Sequence, residues 1–250
     1  MRLSGKKILI TGGGSGIGLE LARRLADANH VIIAGRDEAQ LERARADVPA
    51  LHPIRLDVTS ETEARDAVAS LAADAGGLDL LVNNAGFFRS YPFASPDAGK
   101  KSVEDIEVNV VGVVRMTSLA LPLLQASPEA GIVFISSPIA LAAVPGYAIY
   151  GATKAAVRSL ARSLRAELAG SGIRVFEAMP PLADTGPVRD VDVPKVSPGT
   201  VADAIVAGLE QDRHEIRIGR IRQLVPLARI SPRLGDRFVR QAVTPPEGNS

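Results

Sequence analysis

Short runs that are apolar almost without a break alternate along the chain with longer stretches in which apolar positions recur every three or four residues. The short runs are Lys7–Ile10, Val31–Ala34, Pro53–Leu56, Leu78–Val82, Ile132–Ser136, Arg174–Ala178 and Glu215–Ile218. Strands apolar on both faces are covered on both faces, the condition of a parallel sheet. Helix-start signals lie between them: Asp37 with Gln40, Ser60 with Glu63 and Ser102 with Asp105 at capping-box spacing, and a first-turn proline at Ser197-Pro198. Such alternation builds right-handed crossovers. The pattern therefore predicts an α/β fold with a doubly wound, mostly parallel, seven-stranded sheet, helices on both faces and ligands beyond the carboxyl ends of the strands. One domain is expected over 1–243, including a basic C-terminal segment at 213–241, with a disordered tail at 244–250.

The 250 residues, 46% hydrophobic and 23% charged, suffice for a sizeable core. A net charge of +1 gives no general attraction for nucleic acid, and none is expected as a partner. The absence of cysteine excludes disulfides and thiolate zinc sites. His30, His52 and His214 have no metal-ligand spacing, so no metal is expected. The first apolar run is too short for a secretory signal, and no run approaches the ~18 apolar residues of a membrane span. A cytoplasmic location is the expectation.

The stretch ILITGGGSGIGLELARRLA, Ile8 to Ala26, packs five glycines into seven positions between a strand and a helix. Glycine permits positive φ and lets the backbone approach a ligand without an intervening Cβ. The helix beyond offers unsatisfied N–H groups and roughly half a positive charge, so a phosphate or pyrophosphate is the natural occupant. A P-loop is excluded, because the stretch lacks the terminal Gly-Lys-Ser/Thr.

TGGGSGIG (Thr11–Gly18) resembles the TGxxxGxG cofactor loop of the short-chain dehydrogenases/reductases, and NNAG (Asn83–Gly86) resembles their second signature at the end of the fourth strand. YGATK (Tyr150–Lys154) matches the family's YxxxK, ISS (Ile135–Ser137) sets a serine thirteen residues before the tyrosine, and IEVNVVG carries Asn109 at the family's helix asparagine. The resemblance runs from Lys6 to about Thr185. It implies a Rossmann fold and a catalytic tetrad of Asn109, Ser137, Tyr150 and Lys154. It also implies nicotinamide dinucleotide contacts from Gly12, Gly14, Ser15, Gly16, Ile17, Gly18, Arg36, Asp57, Val58, Asn83, Ala85, Gly86, Tyr150, Lys154 and Thr185.

These residue types suit the chemistry. Reducing a carbonyl leaves an alkoxide that needs a proton donor, and oxidising an alcohol needs the same group as base. A tyrosine serves both, but bringing its pKa from about 10 toward ~7 requires about 4 kcal/mol of phenolate stabilisation, for which Lys154, one turn away, supplies positive charge. The resemblance further implies that the lysine holds the nicotinamide ribose, that the serine bonds the substrate oxygen and that Asn109 holds a water linking the lysine to solvent. The expected function is an NADP(H)-dependent oxidoreductase interconverting a ketone or aldehyde and an alcohol. The alternative is a noncatalytic NADP-binding regulator or scaffold, which would be expected to lose part of the tetrad. Extended-type epimerases space their glycines TGxxGxxG, whereas position 15 here is Ser15, and the GxSxG elbow of serine hydrolases is absent.

NADP(H) is expected over NAD(H), because Gly35 stands where an acid would meet the ribose hydroxyls and Arg36 follows it, a forked cation suited to a 2′-phosphate. After the sixth predicted strand the family's Pro-Gly is replaced by Pro180-Pro181, while Thr185 is kept; this variant resembles a bacterial subgroup, the DltE-type oxidoreductases. Phe87 to Phe93, Pro138, Ile139, Val144, Tyr147 and Leu182 are candidates to line an apolar pocket for a small-molecule ketone or alcohol. Helices at about Ser102–Gln125 and Ala148–Leu168 are expected to pair in a homodimer or homotetramer, by analogy with the family. Finally, Arg213 to Gln241 holds eight arginines against Glu215 and Asp236, with apolar residues in a helical pattern broken by Pro226 and Pro232. Docking over the cleft or against another subunit, with the arginines paired to acids elsewhere, is expected ahead of peripheral membrane contact.

Overall fold

Every apolar run forms a strand, and together they make one sheet. In the computed structural model, which describes residues 1–73, 75–186 and 194–243, the strands are β1 (Lys7–Thr11), β2 (His30–Gly35), β3 (Leu51–Arg55), β4 (Leu80–Asn83), β5 (Ala130–Ile135), β6 (Ile173–Met179) and β7 (Glu215–Arg217). Their order is β3-β2-β1-β4-β5-β6-β7 and every pairing between them is parallel. The predicted tail, 244–250, lies outside the described residues.

Helices cover both faces. On one, α1 (Gly16–Ala26) and α7 (Pro198–Glu210) bury Ile8, Ile10, Val82, Val133 and Phe176. On the other, α3 (Glu61–Ala73), α5 (Gly112–Ala126) and α6 (Ala148–Glu167) bury Leu9, Leu81, Ile132, Phe134 and Val175. Residues adjacent in a strand thus go to opposite layers, which is why the runs read as continuously apolar. The caps at α2 (Glu38–Asp47), α3 and α7 form as predicted, with Asp37 accepting from Gln40 N–H at 2.9 Å, Ser60 from Glu63 N–H at 3.3 Å and Ser197 from Thr200 N–H at 3.0 Å.

The predicted start at Ser102 is wrong. That helix, α4 (Ala98–Ile106), begins just after Asp97 and runs through a π-turn at Glu107–Val111 into α5. Ser102 and Asp105 therefore lie inside it and are buried, the serine hydroxyl donating to Ala98 O at 2.6 Å and Asp105 accepting from the Tyr91 hydroxyl at 2.9 Å. The whole helix, Ala98–Ala126, is 29 residues long with a mean hydropathy of 1.4 over its most apolar window, enough by length and composition to cross a membrane and contrary to the expectation that no stretch would be. Its Met116, Ala120 and Leu124 instead pack against the sheet.

The basic segment forms two helices, α8 (Ile221–Ile230) and α9 (Pro232–Val243). Pro226 sits inside α8 without breaking it, whereas Pro232 separates the two by occupying the first position of α9, where its missing N–H has no partner to lose. The helices cross closely at Gly235, where a Cβ would lie 2.8 Å from that of Ala228.

Candidate active site

Because β1 lies beside β4, connections leave the sheet in opposite directions there and open a crevice at the carboxyl ends. The glycine loop fills its rim, with Gly12 at φ +64° and Gly16 at φ +54°. A Cβ on Gly18 would sit 2.3 Å from Gly12 O, so this glycine packs helix against loop. Ser15 caps α1 by backbone only, its side chain making no cap bond, which leaves the first-turn amides open toward the crevice. Thr11 and Asn84 brace the loop: the Thr11 hydroxyl accepts from Asn84 and Ala85 N–H at 3.1 Å, and Asn84 Nδ2 donates to Thr11 O and Gly12 O at 3.0 Å. An open helix N-terminus behind a loop without side chains fits a dinucleotide pyrophosphate.

From the loop a cleft extends over β2, lined by Gly14, Ser15, Gly35, Arg36, Asp57, Val58 and Phe87. The Arg36 guanidinium is half exposed, 4.0 Å from Asp57 and 5.1 Å from the centre of the Phe87 ring. Burial raises the Asp57 carboxyl, but bonds from Thr59 and the charge of Arg36 together hold it below the usual range. These residues could hold an adenosine with a 2′-phosphate facing Arg36.

In the other direction, the loop opens on a second cleft of about 290 Å³ that contains Ser137, Tyr150, Lys154 and Thr185. Ser137 follows β5, and Tyr150 and Lys154 lie one turn apart on α6. Tyr150 is half-buried where it lines the cleft; burial pushes its pKa up to about 12, opposed by a hydrogen bond with Ser137. This is not the lowered value the sequence led us to expect for a base. Lys154 Nζ donates to Ile135 O at 2.9 Å and stands 5.7 Å from the Tyr150 ring centre. Burial pulls its pKa down to about 8. Asn109, in the π-turn, is wholly buried behind the cleft: its Oδ1 accepts from Phe87 N–H at 2.7 Å, and its Nδ2 donates to Phe87 O at 3.0 Å and to the Thr153 hydroxyl at 3.2 Å. A Cβ on Gly86 would be 3.0 Å from Asn109 Oδ1 and 3.6 Å from Lys154 Nζ, so these groups gather around one glycine.

The short chain dehydrogenase model matches residues 6–201. The chain belongs to that family. Over 195 residues it is 38% identical to the uncharacterized oxidoreductase DltE of Bacillus subtilis (strain 168), covering 74% of this chain and 75% of that one. A short chain dehydrogenase from Burkholderia cenocepacia J2315, crystallised in complex with NADP, superposes with a TM-score of 0.84 at 28% identity over 98% of this chain and 100% of that one. A short-chain dehydrogenase from Streptomyces avermitilis gives 0.81 at 27% identity, over 92% and 94%. This short chain dehydrogenase is therefore an oxidoreductase acting on CH–OH or C=O groups.

Not every predicted contact of the dehydrogenase reaches a cleft. Asn83 is 3% exposed and donates to the Thr117 hydroxyl at 3.0 Å, because the last residue of β4 points into the α5 layer; its neighbour Asn84 faces the crevice instead. Strand alternation was the signal that separates the two. Gly12, Ala85 and Gly86 line both clefts, and Gly16 and Ile17 the one that holds Tyr150. Of the proposed pocket residues, Phe87, Phe88, Pro138, Ile139 and Leu182 line the cleft that holds Tyr150, as do Pro180 and Pro181. Tyr91 turns to Asp105, Phe93 is exposed, and Val144 and Tyr147 pack with α8 and α9. His30 stacks on His52 at 4.0 Å, and His214 stacks on Phe176. Ile221, Phe238 and Val239, from the segment the family pattern does not explain, complete the lining.

Proposed function

We propose that this dehydrogenase uses NADP(H) to interconvert a ketone or aldehyde and its alcohol, with Tyr150 exchanging the proton at the substrate oxygen. The observation that carries this reading is the convergence of Tyr150, Ser137 and Lys154 in one cleft that opens onto the glycine loop. NADP(H) preference is supported by Arg36 beside Asp57 with no acid at Gly35, and by the NADP bound to the Burkholderia cenocepacia relative. When bound, the nicotinamide supplies or accepts the hydride at the substrate carbon.

The chain's own residues handle the oxygen. In reduction, the Tyr150 hydroxyl gives its proton to the oxygen as negative charge develops there, and Ser137, already bonded to that hydroxyl, holds the same oxygen in line. Lys154 spends one of its donors on Ile135 O and its positive charge stabilises the phenolate left behind. With a pKa of about 8 it can return a proton near neutral pH. Asn109 acts as a positioning residue through Phe87 and Thr153, whose hydroxyl donates to Tyr150 O at 2.8 Å. A tyrosine pKa of about 12 leaves the hydroxyl protonated at pH 7, the form reduction needs, while its phenolate is present at only about one part in 10⁵.

Tyr150→Phe tests this. Following NADPH absorbance over a carbonyl panel, the variant should lose about 10²–10⁴-fold in kcat while NADPH affinity changes less than about twofold. Retained turnover would refute the role. We further propose a homo-oligomer, supported by Val103, Ile106 and Val114, exposed at 60, 42 and 46% along α4 and α5.

A further inference from the structure

The cleft beside Tyr150 has walls from outside the family match, which ends at residue 201. Ile221 of α8 and Phe238 and Val239 of α9 join Phe88, Ile139 and Leu182 around it. The helix pair is pinned to the body by two bonds to one residue, Ala143 N–H donating to Asp236 Oδ1 at 2.8 Å and Arg240 Nε donating to Ala143 O at 2.9 Å. Beneath them Leu224, Val225 and Val239 pack on Val144 and Met179.

The segment carrying these walls holds eight arginines, yet none of the cleft's described lining residues is an arginine. The Arg220 guanidinium lies 5.4 Å from the centre of the Phe238 ring, Arg222 Nε donates to Arg217 O at 3.3 Å, and Arg240 turns to Ala143. Among the described lining residues only Tyr150 and Lys154 ionise, and Lys154 Nζ is engaged with Ile135 O. Among the described lining residues no cation other than Lys154, whose charge serves the tyrosine, would meet a carboxylate or phosphate on the substrate, and such a group would be desolvated here.

We infer that the substrate is an uncharged, apolar carbonyl compound of aryl or branched-alkyl type, selected by the walls that α8 and α9 add to the cleft. This rests on the reading of Tyr150 as proton donor. Its strongest support is the segregation of charge: from a segment of net charge +6, the described residues that line the cleft are the apolar Ile221, Phe238 and Val239.

The test uses the full-length protein with NADPH and two ketones of nearly equal shape, acetylbenzoate and its methyl ester. The ester should exceed the acid in kcat/KM by at least about thirtyfold, which is about 2 kcal/mol at 1.4 kcal/mol per decade. Phe238→Ala should raise KM for the ester about fivefold with kcat and NADPH affinity unchanged, and Phe238→Leu should recover most of that loss. Equal turnover of acid and ester, or preference for the acid, overturns the inference. So does failure of both ketones to quench the fluorescence of the enzyme–NADPH complex at millimolar concentration. If the ester binds selectively but is not reduced, the substrate class stands and the reading of Tyr150 falls.

Discussion

Replacing Lys154 with methionine should make the protein more stable at pH 7 while abolishing its activity. The lysine is 7% exposed, and burial is the cause that lowers its pKa from 10.5 to about 8. At 1.36 kcal/mol per unit, the folded state bears about 3 kcal/mol for keeping that cation out of water. Methionine has a similar length and no charge, but it leaves Ile135 O without the donor now at 2.9 Å, a loss of about 1 kcal/mol. The net expectation is about 2 kcal/mol of stabilisation, or about 4–8 °C in Tm for a chain of this size.

The pH dependence distinguishes this cause from any other. The folded pKa lies below the unfolded value, so between about 8 and 10.5 the unfolded chain binds more protons and wild-type stability climbs with pH. Below about 8 both states are charged and the full cost is present; above 10.5 both are neutral and it is gone. Urea unfolding of both cofactor-free proteins across that window should show the variant's advantage largest at pH 7 and shrinking steadily upward. A variant less stable than wild type at pH 7, or an advantage independent of pH, would refute the reasoning.

Arg36→Ala should weaken NADPH binding about tenfold, as expected for the loss of a charge-assisted contact, and leave NADH binding within about twofold by fluorescence titration; equal effects on both cofactors would remove Arg36 from 2′-phosphate recognition. Sedimentation at micromolar concentration should show a dimer or tetramer that Val103→Glu with Ile106→Glu shifts toward monomer, and a wild type that is monomeric throughout would reject the exposed α4 face as an interface.

What the sequence makes legible here is local. Strand positions follow from runs such as Ile8–Ile10 that feed both layers, and three of four helix starts follow from a cap and its partner a turn away. Ser102 and Asp105 carry the same spacing, but both are consumed by contacts inside a helix already under way, the aspartate by Tyr91. Asn83 and Asn84 differ only in which way a strand end points. The substrate-side walls are least legible, because Asp236 and Arg240 meet Ala143 across 93 and 97 residues of chain. Eight arginines suggest partners with acids, yet among the described residues of that segment only Arg217 makes an ion pair, with Glu215. The segment docks over the cleft as expected, while among the described residues its arginines are not paired with acids elsewhere in the chain.

The same helix that carries Tyr150 shows how a cation near neutral pKa is maintained inside a protein. Arg158 follows Lys154 by one turn on α6, and both are buried. Arg158 is matched by Glu177 of β6, which takes two bonds from it at 2.9 and 2.7 Å and a third from the Ser136 hydroxyl at 2.6 Å. That carboxylate is thereby committed to a second cation and to the residue preceding Ser137. Lys154 has only a neutral carbonyl, and burial alone sets its pKa. Were a carboxylate to reach Lys154, attraction would raise its pKa again and cancel its field at Tyr150. Pairing Arg158 with Glu177 thus satisfies the buried charge that has no task at the cleft and leaves unpaired the one whose charge the tyrosine needs.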